Sequence, residues 1–374
     1  MLWFANGDGI FVIDSERNIL HNYEYNPDNA HSLSSNEVKA MYEDQAGTTW
    51  VGTLGGGLCK TIENKKKFHS FRPPFNNTAK LARNRVSAIL QDDDGSYWIG
   101  TSGSGIFNFD REKEHYVDYE ETPSWMPVGS PEFVEAVYLD SDNTLWAGAT
   151  FSGGLYRYDR VRDTFVQYKN KPEDPFSLSH NYVTCIYEDD YGMLWVGTDG
   201  GGLNHFDQKQ NKFVHYKYQP EDPNSLSSNK IKFITQDTER TLWIGTWGGG
   251  LNKFEREKNH FISYKNIPGD ANSLNDNRIM AIGESPKGIL WIGTSTGGLN
   301  RFDLKKNSFR HFTMKHGLPS NNIYAVVPDD FGYLWITTDI GLVRMDVAAE
   351  TFRDYDVIDG LLSNEFNERS FYKS

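Results

Sequence analysis

A run of three glycines follows Trp247 in LWIGTWGGGLNKF (residues 242–254), and glycine-rich loops of this kind can bind phosphate. A phosphate loop of the form GxxxxGK[ST] holds its ligand with backbone N–H groups and a lysine at the start of a helix. Here the lysine is missing, and a strand-like segment follows the glycines. The run also recurs as LGGGL, SGSGI, FSGGL, DGGGL and STGGL. We therefore predict that the glycines have a geometric role, because they allow positive φ in short connections near the crowded centre of a ring. We predict no nucleotide site at these loops.

The residue in front of each glycine run changes along the sequence, and a variable residue on a constant frame is typical of a binding surface. Aromatic rings can stack on sugar rings, so Trp247 and Phe151 are the candidates for stacking. Carboxylates can accept hydrogen bonds from sugar hydroxyls, so Asp199 and Asp339 are the candidates for that contact. An ordinary role in loop structure or packing remains the alternative for each residue.

Two further candidates lie in irregular loops. Trp125 stands in EETPSWMPVGSPEF and is a second possible stacking ring, and Arg83 stands in FRPPFNNTAKLARN, where it is a candidate for binding a carboxylated sugar. No histidine pair has HxH or HExxH spacing, so we predict no metal. The other arginines are scattered without the triad that a sialidase-type site requires. We therefore predict no catalytic residue and no cofactor.

Composition excludes some partners. The formal net charge of −13 argues against nucleic acid and against anionic membrane surfaces, since both require a basic face. No stretch approaches 18 consecutive apolar residues, which argues against a membrane span. The beginning, MLWFANGDGIFVID, lacks the pattern of a signal peptide and reads as if it were already inside a strand. We expect the sequence to be a segment of a longer protein.

Tryptophan recurs with a period near 48, at positions 3, 50, 98, 146, 195, 243, 291 and 335. A period of this length indicates a repeat architecture. One repeat reads as four short strands, IKFITQD, LWIGT, GLNKFE and HFISYK, separated by turn residues. The sequence therefore predicts an all-β protein, a β-propeller of four-stranded antiparallel blades with about eight repeats in a seven- or eight-bladed ring.

The ends of the sequence suggest how the ring closes. The first unit lacks its first strand, and the last residues, NERSFYKS, read as a first strand with nothing after it, so this strand is expected to complete the N-terminal blade. The segment 71–84 is irregular and is a possible break between two rings. The repeats are predicted near residues 1–36, 37–84, 85–132, 133–181, 182–229, 230–277, 278–322 and 323–374.

An aspartate stands six residues before most of these tryptophans, as in Asp189 before Trp195 and Asp237 before Trp243. Aspartate can accept hydrogen bonds from backbone N–H groups a few residues further on, which favours a tight turn. We predict that the aspartates form hairpin turns and that each tryptophan packs between adjacent blades.

The combined pattern D-x-x-G-x-LW-[VI]-GT-x-GGGL-N-x-[FY]-D, followed by F-x-x-[YF] and SLSSN-x-[VI], resembles the two-component regulator propeller repeat over nearly the whole sequence. The resemblance implies the periplasmic sensor region of a hybrid two-component histidine kinase of the glycan-sensing type. It also implies two consecutive propellers, usually seven-bladed, joined to an immunoglobulin-like domain, a membrane span and a kinase. The sequence here contains neither the span nor kinase motifs.

Three functions remain open at this stage. The resemblance implies a sensing module that binds an oligosaccharide and relays the signal to a kinase outside this segment. Its expected protein partners are adjacent sensor domains, and a second copy of itself is an option left open. The first alternative is a scaffold propeller that binds protein and no small ligand. The second is a carbohydrate-active propeller enzyme, which the scattered arginines do not favour.

Overall fold

The computed structural model describes residues 2–6, 9–13, 19–27, 32–33, 35–36, 38–43, 48–53, 57–62, 85–102, 105–110, 115–118, 133–150, 153–162 and 164–355. The chain divides into two compact units, with residues up to 70 in the first and residues 71–355 in the second. Apart from two short 3₁₀ helices, Arg256–Lys258 and Met314–His316, the regular structure that is described consists of β-strands. Within the described ranges, no helix has the length and apolar character to cross a membrane.

The first unit contains two three-stranded antiparallel sheets, which we call blades 1 and 2. Blade 1 begins with the strand that carries the first tryptophan of the repeat, as predicted. The segment NERSFYKS, which was expected to complete this blade, lies outside the described residues. The strands are β1 (Leu2–Asn6), β2 (Gly9–Ile13) and β3 (Ile19–Tyr23) in blade 1, and β4 (Val38–Glu43), β5 (Thr48–Thr53) and β6 (Gly57–Ile62) in blade 2.

The second unit contains six four-stranded antiparallel sheets, blades 3 to 8, each with its strands in chain order. Blades 3 to 5 comprise β7 (Arg85–Gln91), β8 (Tyr97–Ser102), β9 (Ile106–Asp110) and β10 (His115–Asp118); β11 (Val134–Leu139), β12 (Leu145–Ala149), β13 (Gly154–Asp159) and β14 (Thr164–Tyr168); and β15 (Val183–Glu188), β16 (Leu194–Thr198), β17 (Leu203–Asp207) and β18 (Lys212–Tyr216).

Blades 6 to 8 repeat the plan with β19 (Ile231–Gln236), β20 (Leu242–Thr246), β21 (Leu251–Glu255) and β22 (His260–Tyr264); β23 (Ile279–Glu284), β24 (Ile289–Thr294), β25 (Leu299–Asp303) and β26 (Ser308–Phe312); and β27 (Ile323–Pro328), β28 (Tyr333–Thr338), β29 (Gly341–Asp346) and β30 (Thr351–Tyr355). The predicted four-stranded antiparallel blade is confirmed for these six sheets. The number of blades in a closed ring stays a prediction.

Successive blades of the second unit pack against each other through their first strands. The first strand of each blade contacts the first strand of the next, from β7 to β27. The first strands therefore lie innermost and the fourth strands outermost. On the outer edge, the loop between blades covers part of the fourth strand of the following blade, since the N–H of Phe261 donates to the carbonyl of Asn224 at 2.8 Å. This bond occupies a backbone group that an edge strand would otherwise expose.

In blades 4, 5 and 6, the tryptophan of the second strand reaches from its own blade into the next. In blade 5, the indole of Trp195 meets the ring of Phe254 in blade 6 edge-on, with ring centroids 5.5 Å apart. Such pairs contribute about 0.5–1.5 kcal/mol beyond the apolar area that they bury. Trp146 with Phe206, and Trp243 with Phe302, make the same contact one blade earlier and one blade later. The predicted packing of the tryptophan between blades is confirmed in these three blades.

The turn aspartate fixes both the turn and the indole. Oδ1 of Asp237 accepts hydrogen bonds from the backbone N–H groups of Glu239 and Thr241, at 2.9 and 2.8 Å. Its Oδ2 accepts a hydrogen bond from Nε1–H of Trp243 at 2.8 Å. The predicted turn is confirmed, and the bond to the indole was not foreseen. The same indole bond joins Trp98 to Asp92, Trp146 to Asp140, Trp195 to Asp189 and Trp335 to Asp329.

Glycine in the second strand lets neighbouring blades approach closely. A Cβ atom on Gly245 of blade 6 would lie 2.7 Å from Cγ2 of Ile279, the first residue of β23 in blade 7. Gly197 meets Ile231, and Gly293 meets Ile323, in the same way. The branched side chain thus fills the space that the missing Cβ leaves, and this contact sets the distance between blades.

We expect Asp237→Asn to lower the free energy of unfolding by about 1–3 kcal/mol, because one amide oxygen cannot serve both the turn and the buried indole N–H. Urea unfolding followed by tryptophan fluorescence measures the change. The control is Asp142→Asn, at an exposed position in the corresponding turn of blade 4, which we expect to leave the midpoint unchanged. Equal midpoints for the two variants would contradict the stabilising role of the carboxylate.

Candidate functional site

The glycine loop of blade 6 is shaped by close backbone contacts. Gly250 has a φ of +81°, and a Cβ atom there would lie 2.2 Å from the carbonyl oxygen of Tyr264, at the end of the fourth strand. Only glycine combines that conformation with that approach. The expected positive φ is confirmed. The expectation that the crowding is at the centre of the ring is wrong for this residue, because its contact is with the outermost strand.

In each of the loops before blades 5 to 8, an asparagine carbonyl binds the glycine loop of the preceding blade. The carbonyl of Asn277 accepts hydrogen bonds from the N–H groups of Gly248 and Gly250, at 3.0 and 2.9 Å. Its side-chain Oδ1 accepts a hydrogen bond from the N–H of Asn266 at 2.6 Å. Asn229 makes the corresponding backbone bonds to the glycine loop of blade 5. The constant asparagine therefore holds the loops of adjacent blades in one fixed frame.

Variable residues lie side by side on this frame. The N–H of Asp199 donates to the carbonyl of Tyr182, the N–H of Trp247 to that of Lys230, and the N–H of Ser295 to that of Arg278, at 2.9, 2.9 and 3.0 Å. Antiparallel bridges connect Asp199 to Lys230 and Trp247 to Arg278 across the seams between blades. We call this continuous set the variable belt; its members are Tyr182, Asp199, Lys230, Trp247, Arg278 and Ser295.

Trp247 is the centre of the variable belt, and its side chain is half-buried. The Nζ atom of Lys232 lies 5.3 Å from the centroid of its ring, and Cζ of Arg278 lies 5.8 Å from it. Lys230, whose carbonyl accepts the Trp247 N–H, has an exposed side chain. The indole is thus partly open to solvent, with cationic side chains at its border.

Arg278 is held in place by a carboxylate. Its Nε and Nη2 groups donate to Oδ1 and Oδ2 of Asp276 at 3.0 and 2.8 Å, and Nη2 also contacts Oγ1 of Thr296. Burial alone would raise the pKa of Asp276, but the hydrogen bonds from Arg278 and Thr296 outweigh it and hold that pKa below its ordinary value. Asp276 therefore stays ionised at neutral pH and orients the guanidinium beside Trp247.

The structure brings some of the predicted site residues together and leaves others apart. Trp247 and Asp199 both border Lys230 in the variable belt. Asp339 lies on blade 8, outside the belt, where its Oδ2 accepts a hydrogen bond from Nδ2 of Asn322 at 2.7 Å and its Oδ1 is buried without a hydrogen-bond partner. The remaining candidates, Phe151, Trp125 and Arg83, lie outside the described residues.

Sequence reasoning missed Lys230 and Arg278. Each stands between the constant asparagine and the branched residue that begins the next first strand, in SSNKI and NDNRI. This position varies as much as the one before the glycines, with Tyr182 in blade 5 and Asn322 in blade 8. A comparison of the repeats at both positions would have found the belt, although not the contact between its members.

The chemistry of the variable belt favours binding over catalysis. The ring of Trp247 can contact an apolar face, while the carboxylate of Asp199 and the guanidinium of Arg278 can accept from and donate to hydroxyl groups. Within the described residues, no group of three or more His, Cys, Asp or Glu side chains could hold a metal ion. The belt therefore has an aromatic platform with polar groups on both sides.

If Trp247 belongs to a binding surface, its removal should cost little stability. We expect Trp247→Ala to lower the free energy of unfolding by about 1 kcal/mol or less, as for other partly exposed residues. Trp243→Ala, in which a 2% exposed indole is removed from the seam, should cost about 3–5 kcal/mol. Urea unfolding of both variants tests this difference, and similar losses would show that Trp247 is a packing residue.

Comparison with known proteins agrees with the repeat pattern. A family model described as the two-component regulator propeller matches residues 32–55, 80–103, 177–200, 273–296 and 317–339. Each match in the second unit contains the complete first and second strands of one blade. The predicted resemblance to this repeat is thus confirmed at these five places, and the bounds of the eight repeats stay a prediction.

Other proteins are similar to this chain in sequence or in fold. The extracellular domain of the putative hybrid two component system BT3049 from B. thetaiotaomicron has 27% identity and a TM-score of 0.68, over 100% of this chain and 47% of its own. Histidine kinase P4 from Formosa agariphila is 33% identical over 63 residues, or 17% of this chain and 5% of the relative. Virginiamycin B lyase from Staphylococcus aureus is similar in fold alone, with a TM-score of 0.55 at 17% identity, over 72% of this chain and 84% of its own. This chain therefore contains two-component regulator propeller repeats at the five matched places, within a fold of four-stranded antiparallel blades.

Proposed function

We propose that this chain is the ligand-sensing module of a two-component sensor kinase, that it lies in the periplasm, and that it binds an oligosaccharide on the variable belt. The observation that carries the proposal is the separation of constant from variable residues. Glycine and asparagine hold the loops in a fixed backbone arrangement, while Asp199, Trp247 and Ser295 occupy equivalent positions with different chemistry. The similarity to an extracellular domain of a hybrid two-component system supports the sensor function.

An oligosaccharide fits the chemistry of the belt. A sugar ring has an apolar face that can lie on the half-buried indole of Trp247, and equatorial hydroxyls that point toward the polar neighbours of that indole. Asp199 offers acceptors, Arg278 offers donors, and Ser295 offers both. Because Asp276 already orients Arg278, little side-chain entropy would be lost when a ligand binds there.

The position of the belt suggests how binding would be transmitted. Its members come from blades 5, 6 and 7 and meet at the seams between blades. A ligand that contacts residues on both sides of a seam stabilises one relative placement of the blades, and this differential affinity is what a sensor needs. Adjacent sensor domains would respond to this change and transmit the signal to a kinase outside this segment. The chain spans 47% of the length of the similar extracellular domain. Contacts between this chain and adjacent domains are therefore part of the proposal.

The proposed module binds its ligand without turnover. A propeller enzyme would need a general acid and a nucleophile or base at a reacting bond. Around Trp247 the carboxylates are Asp199 and Asp276, and Asp276 is committed to a bidentate pair with Arg278. A plain protein scaffold would bind no saccharide at all, which the following experiment distinguishes.

Trp247→Ala should lower the affinity for the bound oligosaccharide at least tenfold, because the aromatic platform is removed. Isothermal titration calorimetry against a panel of oligosaccharides measures the affinity, and chromatography of the same samples detects products. The matched control is Phe331→Ala, which removes an 87% exposed ring at the opposite end of blade 8, in the turn between its first and second strands. The control should bind within twofold of the parent protein.

Each other outcome contradicts part of the proposal. Equal affinity for the parent protein and Trp247→Ala would remove the belt as the site. Release of shortened saccharides would replace the sensor by an enzyme. If no saccharide of the panel binds and the chain forms a stable complex with another protein, the scaffold alternative would be favoured.

A further inference from the structure

Cationic side chains gather around Trp247 in a chain that is acidic overall. The net charge of the protein is −13. Nevertheless, Lys232 and Arg278 lie against the ring of Trp247. A third cation, Lys230, is next to it along the belt, because its carbonyl accepts the N–H of Trp247. The general solubility of an acidic chain does not explain this group of cations.

Among blades 5 to 8, this group of cations is specific to blades 6 and 7. The position before the first strand carries Lys230 and Arg278 in these two blades, whereas it carries Tyr182 in blade 5 and Asn322 in blade 8. The second residue of the first strand is Lys232 in blade 6, and it is Thr184 and Met280 in blades 5 and 7. The repeat fold does not require a cation at either position, because neighbouring blades form the same strands without one.

Arg278 keeps a donor available for a ligand. Its Nε and Nη2 groups are used by Asp276 and Thr296, whereas Nη1 donates to no acceptor in the described part of the chain. The side chain of Arg278 is 36% exposed, and that of Asp276 is 10% exposed. The carboxylate of Asp276 thus fixes the guanidinium of Arg278 from its buried side, and the Nη1 group stays available to a ligand. Such a group is well suited to a carboxylate or sulfate oxygen.

We propose that the Trp247 position of the variable belt binds an acidic saccharide. The sugar ring lies on the indole, and its carboxylate or sulfate group accepts hydrogen bonds from Nη1 of Arg278 and is attracted by Lys230 and Lys232. This inference rests on the proposed function, since it names the class of ligand for the same site. The shared chemistry is an anionic group on a sugar ring, and carboxylate and sulfate are its two possible sources.

The decisive experiment compares saccharides that differ in charge alone. Isothermal titration calorimetry is run on the whole chain with trigalacturonic acid and with its methyl ester, which keeps the sugar rings and removes the charge. Galactose tetrasaccharides with and without sulfate esters form the second arm. We expect one charged member to bind at least tenfold more tightly than its neutral counterpart, and to lose affinity as salt is raised. The arm that responds identifies carboxylate or sulfate as the source.

Variants locate the effect in the protein. Lys230→Gln and Arg278→Gln should each reduce the affinity for the charged saccharide at least fivefold more than they reduce the affinity for its neutral counterpart. Lys209→Gln is the matched control, because Lys209 is an exposed cation in the turn between β17 and β18, at the other end of its blade. Circular dichroism confirms that the variants are folded, which guards against a simple loss of structure in Arg278→Gln.

The outcomes separate this inference from the proposed function. Equal binding of charged and neutral members, still weakened by Trp247→Ala, would overturn the preference for acidic sugars and leave the sensor function standing. Binding of neutral saccharides alone would do the same. A charge preference that Lys209→Gln reduces as much as Lys230→Gln would also overturn the assignment to this site. No binding of any saccharide would overturn both.

Discussion

The seam between neighbouring blades is the constraint on which the second unit depends. A single sheet of four short strands has two faces and cannot bury either of them alone, so each blade requires the next one. Three contacts form the seam: the indole edge-on against the next blade, the branched residue against the missing Cβ of glycine, and the asparagine carbonyl against the glycine loop. Each of them links backbone or core positions.

The turn aspartate shows how a polar group can support an apolar seam. The indole of Trp243 must be buried to reach Phe302, and its N–H group would then lose its hydrogen bond to water. Asp237 supplies the acceptor within the same hairpin, so the indole N–H of Trp243 keeps a hydrogen bond when the ring is buried in the seam. Blade 7 has Ser285 in place of the aspartate, and there the backbone carbonyl of Ser285 accepts the bond from Trp291 at 2.5 Å. The acceptor is therefore required, while a carboxylate is one of two ways to provide it.

Constant seams leave the side chains at the loop ends free to differ. The loop bonds to Trp247 and Asp199 use backbone atoms, so a change of side chain at either position does not disturb the frame. A binding surface can thus vary from blade to blade without loss of stability. The same arrangement places Asp199 and Trp247 each beside a residue of the next blade.

The sequence alone determined the repeat, the four-stranded blade, the turns and the tryptophan seam. All of these depend on residues close in the chain or on a period near 48, and local hydrogen bonds and alternation of side chains suffice to predict them. It also identified Trp247 as a variable residue on a constant frame. Only the tertiary structure decided which residues surround it. Lys230 and Arg278 are 48 residues apart and meet at Trp247 because the seam aligns two successive repeats, and this alignment depends on the packing of one blade against the next.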